Sequence, residues 1–144
     1  MEAFKKILQE NTENVNVYFI NSEYLKYRYA EYINISKSIY IFRNEKPRYL
    51  KEVIFLFHEL GHLARRKDDY ESIKGLKYND LHNQQKIKIL EEEFFAWIFC
   101  FKKIYDIKVS LLYKFILFIF SSYYFFFSMT SYLFYVLELL FGVR

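Results

Sequence analysis

The chain is poor in residues that break, staple or ligate: 144 residues include three glycines, one proline, one cysteine and three histidines. So few glycines exclude a phosphate-cradling loop of the usual glycine-rich kind. The lone Cys100 cannot close an internal disulfide, which fits a reducing compartment without demanding one. The opening "MEAFKKILQE" has charges where the apolar core of a signal peptide should run, so a cytoplasmic location is expected. Charge of one sign is not concentrated either. The formal charge of +4 arises from cations interleaved with acids, as in "NEKPRYLKE" and "ARRKDDYE". That pattern describes a solvated surface, and direct nucleic-acid contact is not expected. No repeat or low-complexity linker is visible, and the length suits one domain over 1–144 with a single core.

Aromatic residues are abundant at 23%, nearly all Phe and Tyr. Genome base composition produces such a bias as readily as function does, so the tyrosines are not read as stacking platforms. Helical periodicity covers 2–10 through Phe4, Ile7 and Leu8, and "NVNVYFI" (14–20) alternates at period two as a half-buried strand does. "YAEYI" (29–33) and "KSIYIFR" (37–43) are two further strands, joined as a hairpin across "NIS". The strand region is therefore 14–43. Pro47 suits the first turn of a helix over about 47–66, ending in the cationic "ARRKDD". A polar connection with Gly75 leads to a second long helix, about 81–104, capped by Asn79 or Asp80. The tail 108–144 is apolar and helical, with no charge from Phe115 to Leu137. Its hydroxyls and the cap-like "SMTS" favour two short buried helices, the second at about 129–141; a membrane span over 111–141 is the alternative.

Two of the three histidines stand in "FLFHELGHLARR", four positions apart. That spacing puts His58 and His62 on one helix face, able to share a zinc ion at about 2.0–2.1 Å. Glu59 is turned about 100° away. It suits a general base acting on the attacking water, which gives each residue of His-Glu-x-x-His a mechanical role. The plain alternative is a pair of partly buried helix histidines beside a surface glutamate. The apolar "VIFLF" before them argues against it, because burying unpartnered imidazoles is costly. A third protein ligand is needed, with a fourth position left open. Among Glu91, Glu92 and Glu93, Glu91 sits in an apolar stripe with Ile87, Phe94, Phe95 and Ile98, where a carboxylate is expensive unless bound. Glu92 has Lys88 one turn earlier, and Glu93 faces Ile89, Ala96 and Trp97. Glu91 is therefore the expected ligand. His82, in the polar "NDLHNQQ", is an alternative ligand or a second contact behind the ligands.

The layout resembles the ImmA/IrrE family of small zinc metallopeptidases. The likeness is carried by "YINISKSIYIFRNEKPRYLKEVIFLFHELGHLA" and by "EEEFFAW", set on the family's E-A-N/D-x-F-A. It implies an α+β, zincin-like domain: a short three-stranded sheet with a hairpin, the HExxH helix, a glutamate-bearing helix and C-terminal helices. It also places the family's ligand glutamate on Glu91 and its acidic or amide position, behind the ligands, on Glu93. "IKVS" (107–110) and "SMTSYLFYVLELLFG" (128–142) look like the two C-terminal helical segments. Glu92 stands where the family has a small alanine, and "IFCFKK" replaces its Leu-Met-Pro. The implied activity is Zn2+-dependent endopeptidase cleavage of a helix-turn-helix, XRE-type repressor. Two other readings compete: a membrane-anchored HExxH metalloprotease, and a non-catalytic regulator that binds its partner and uses zinc structurally.

Overall fold

The computed structural model describes residues 2–21, 30–33, 36–43, 48–65, 73 and 81–141. The expected helix start at Pro47, the "RKDD" end of the same helix, Gly75 and the caps Asn79 and Asp80 lie outside them. The architecture is α+β. Helix α1 (Glu2–Asn11) precedes strands β1 (Asn16–Asn21), β2 (Ala30–Ile33) and β3 (Ser38–Arg43). Helices α2 (Tyr49–Arg65), α3 (Asn83–Asp106) and α4 (Leu111–Phe141) follow.

The sheet is mixed, in the order β1-β3-β2. β2 and β3 pair antiparallel with Ile33 opposite Ser38, and Lys37 takes the left-handed conformation (φ 46°) at the turn between them. β1 adds in parallel to the other side of β3, with Asn16 opposite Ser38. β3 is therefore central, and its alternation points Ile39 and Ile41 into the core while Tyr40 stacks on Tyr18 outside, ring centroids 5.2 Å apart.

Helix α2 is the hub. It is apolar nearly all round, and a helix of that kind must be enclosed; every residue from Glu52 to Leu63 is buried. The sheet covers one side, α3 another, and α1 and α4 close the rest. Its start is fixed by Glu52, whose carboxylate accepts Arg43 Nε at 2.9 Å, a second Arg43 nitrogen at 2.6 Å and the Arg48 N–H at 3.1 Å. This buried fork joins the end of the central strand to the first helical turn, where the helix dipole favours an anion.

The C-terminal part departs from the sequence reading in three ways. "IKVS" is not helical: Ile107 to Ser110 form a turn, and Ser110 Oγ accepts the Tyr113 N–H (3.3 Å) as the cap of α4. The tail is one 31-residue helix, not two. Its hydroxyls do not break it because they bond back one turn, Ser122 to the Phe118 carbonyl (2.9 Å) and Thr130 to that of Phe126. Nor is it enclosed. Leu117 and Ser121 are buried against the rest of the fold, but Leu111, Leu112, Phe115, Phe126 and Phe127 are all exposed.

Cys100 lies where α2, α3 and α4 meet, its Sγ 3.5 Å from the Ile54 carbonyl and 4.0 Å from Ser121 Oγ. Burial pushes its thiol up to about 12, slightly offset by the Ser121 contact. The reactive thiolate is thus negligible below that pH. The folded protein should resist alkylation by iodoacetamide at pH 8 and react only on unfolding; fast labelling of native protein by mass spectrometry would show that α4 does not pack here.

Candidate metal centre

His58 and His62, one turn apart on α2, turn their Nε2 atoms towards a common point, 3.2 Å from each other. Glu93 closes the triangle from α3. Its Oε2 is 3.3 Å from His58 Nε2, and its Oε1 is 3.4 Å from His62 Nε2. Among the described residues these three side chains are close enough to hold one metal ion, and they are largely buried. The spacing is a physical test of fit. One ligand atom from each residue lies within 4.8 Å of the others, close enough to share an ion, with Glu93 turning a different oxygen to each histidine. Two imidazoles and one carboxylate are also a donor set that zinc takes. Burial alone would push the Glu93 carboxyl up, but the charge of His62 and hydrogen bonds from His58 and His62 hold it well below the usual carboxylate range. The anionic form, which is the one that ligates, is thereby favoured.

Packing orients both rings. Tyr32 of β2 stacks on His62 (centroids 5.5 Å, 14° between planes), and Trp97 of α3 lies against His58 at 4.4 Å. His58 Nδ1 meets no hydrogen-bond partner among the described residues, so that imidazole is aimed by Trp97 rather than by a polar contact behind it. Glu59, also buried, points to the sheet side, where its Oε2 accepts the Tyr32 N–H at 3.1 Å. The carboxylate therefore reaches edge strand β2 at the residue whose ring lies on His62.

Glu91, the expected ligand, is not in the cluster. Its half-exposed carboxylate lies 2.5 Å from an Arg65 guanidinium nitrogen. Glu92 is buried rather than solvated and takes Arg65 Nε at 3.1 Å, while the guanidinium covers the Phe95 ring at 3.9 Å. His82 is exposed at the start of α3, its N–H donating to Gln85 Oε1 (2.9 Å); it takes the capping place assigned to Asn79 or Asp80 and lies outside the cluster. The difference between Glu91 and Glu93 is one of helix face. Both sides of α3 are apolar, and the stripe of Ile87, Phe94, Phe95 and Ile98 proves to be the exposed one. Ala96, Trp97, Cys100 and Ile104 are buried, and Glu93 belongs to their side. The usable signal was Ala96, the one small side chain in an otherwise bulky run, because it marks where two helices touch.

That contact is with Gly61. A Cβ at Gly61 would stand 2.7 Å from Ala96 Cα and 2.8 Å from its carbonyl oxygen, both backbone atoms that cannot swing aside. The glycine of "HELGH" thus lets α3 approach closely enough for Glu93 to reach the histidines.

Two measurements check this geometry. Glu93→Gln should weaken zinc binding by at least a hundredfold in calorimetry, whereas Glu91→Gln should change it by less than threefold; the reverse order would restore Glu91 as ligand. Gly61→Ala should separate α2 from α3 and cost at least tenfold in zinc affinity, even though no ligand is altered.

The comparisons add no relative to this description: no protein-family model, no curated protein and no solved structure matches the chain.

Proposed function

We propose that the chain is a zinc-dependent peptidase of the ImmA/IrrE type, with His58, His62 and Glu93 as its metal-holding residues and Glu59 as its general base. The observation that carries this reading is the donor triangle with a buried carboxylate beside it. A bound zinc ion would supply Lewis acidity towards a carbonyl oxygen and acidify a water. Among the described residues the cluster has three members, which suits a catalytic site with one open position better than a structural site closed by four.

The protein's own residues then have distinct tasks. Glu59 is held by the Tyr32 N–H with one carboxylate oxygen engaged, leaving the other to accept the proton of the attacking water. Tyr32 and Trp97 keep the two imidazoles in place, so little reorganisation is needed when substrate arrives. Strand β2 is an edge of the sheet and lies directly over Glu59. An extended peptide added to that edge would bring a backbone carbonyl to the site, the usual way in which an open strand recognises peptides. The substrate class, an XRE-type repressor, rests on the resemblance of "YINISKSIYIFRNEKPRYLKEVIFLFHELGHLA" alone. The choice of Glu93 departs from that resemblance, which places the ligand two residues earlier.

Glu59→Gln should bind zinc as the parent does while cleavage of the neighbouring-gene repressor, followed by fragment analysis, falls by at least a thousandfold. Cleavage at the parental rate would remove Glu59 as the base.

A further inference from the structure

Helix α4 carries far more apolar surface than the fold consumes. Its stretch Leu111–Phe134 has a mean hydropathy of 1.5 and the length to cross a bilayer, yet only 11% of that window is buried. A core helix of a soluble protein would be mostly enclosed. The exposed side chains are not scattered: Leu111, Phe115, Ile119, Phe126 and Leu133 are solvent-facing along one side of the helix, and exposed Phe118 and Phe120 mark its two margins, so the outward face takes in somewhat more than half of the circumference. The opposite side is docked. Leu117 and Ser121 are fully buried, and Tyr124 packs edge-on against Phe55 of α2 at 5.1 Å. Alongside runs the exposed row Phe94, Ile98 and Tyr105 of α3, joined to α4 by Phe94 on Phe125 and by Lys114 over Tyr105. The two helices form one apolar slab.

We infer that this slab lies in the plane of an anionic membrane surface, with α4 half-sunk among the lipids and the metal centre held above it, rather than that α4 crosses the bilayer. Depth decides between the two. Lys51, at the charged start of α2, stands 6.0 Å over the ring of Tyr124, which is past the middle of the apolar stretch. A crossing α4 would drag Lys51 and the nearby Arg43–Glu52 pair into hydrocarbon, a costly place for charges. Lying flat, α4 keeps its docked side with the protein and gives its outward side to lipid, the arrangement of an interfacial helix. The N-terminal end of α4 agrees: Lys102, Lys108 and Lys114 fall along the α3–α4 junction with one acid, Asp106, among them, and Lys114 Nζ donates to the Tyr105 carbonyl at 2.6 Å, a cationic stretch that suits an anionic headgroup layer. Exposed Tyr105 and Tyr123 are of the amphipathic type that sits at headgroup level. The inference is independent of the peptidase reading.

The test is flotation of the full chain with sealed vesicles of phosphatidylcholine containing one-fifth phosphatidylserine, added from outside. The parent should float with them and bind at least tenfold less to phosphatidylcholine alone, and a C-terminal epitope should remain open to protease. The double variant F115E/F126E should lose at least tenfold in vesicle binding while Cys100 stays shielded, which reports an intact fold; Leu112→Glu is the second variant if it does not. Failure of the parent to float overturns the inference, and so does an epitope protected inside the vesicles, the signature of a crossing helix. A dimer that F115E/F126E dissolves, with no vesicle binding by the parent, overturns it in favour of a second copy on the slab.

Discussion

The closest approach of α2 and α3, where Gly61 meets the backbone of Ala96, is the constraint from which the candidate site follows. Two helices with ordinary side chains at the contact pack about 8–10 Å apart, and here a missing side chain on one and a methyl on the other let them come close. Glu93 lies one turn before Ala96, and His58 and His62 flank Gly61 on the other helix. The distance at which the carboxylate meets the imidazoles is thus set by the seam rather than by any feature of the three side chains themselves. Arg65 fixes the rotation. By taking Glu91 and Glu92 on one side of α3 and the face of Phe95, it leaves Glu93 as the acid turned to the histidines.

The surroundings of the cluster divide the work by element. The sheet contributes through Tyr32, whose ring lies on His62 and whose N–H holds Glu59. Helix α3 contributes both a donor, Glu93, and the ring that steadies His58, Trp97. Helix α2 is locked to the central strand at its other end by the Glu52 fork. Each histidine is therefore held from a different layer of the fold, and the helix that carries both has little freedom to shift.

Much of this was legible in the residues. The α+β class, the three strands, the antiparallel β2–β3 pair and the two long helices follow from alternation at two and 3.6 residues, and the structure has them within a few residues of the expected bounds. The histidine pair is legible because helix geometry alone places residues four apart on one face. The third donor was not. A helix with apolar residues on every side offers periodicity no preferred face, and only the small Ala96 betrayed the buried one. The tail departs from its expected form for a related reason. Serines and threonines look like caps in a sequence, but inside a long helix the carbonyl one turn back satisfies their hydroxyls, and the break does not occur.

In the proposed peptidase a substrate chain would thread past the centre along β2. The Tyr32 amide belongs to the rim of β2, and it is already spent on Glu59. A strand laid along that rim finds one docking point taken and must phase its own carbonyls around it. In the proposed peptidase the acid would thereby act as a stop on sliding: it would set which peptide unit comes to rest beside it, so that backbone alignment would select the scissile bond before any side-chain preference is felt.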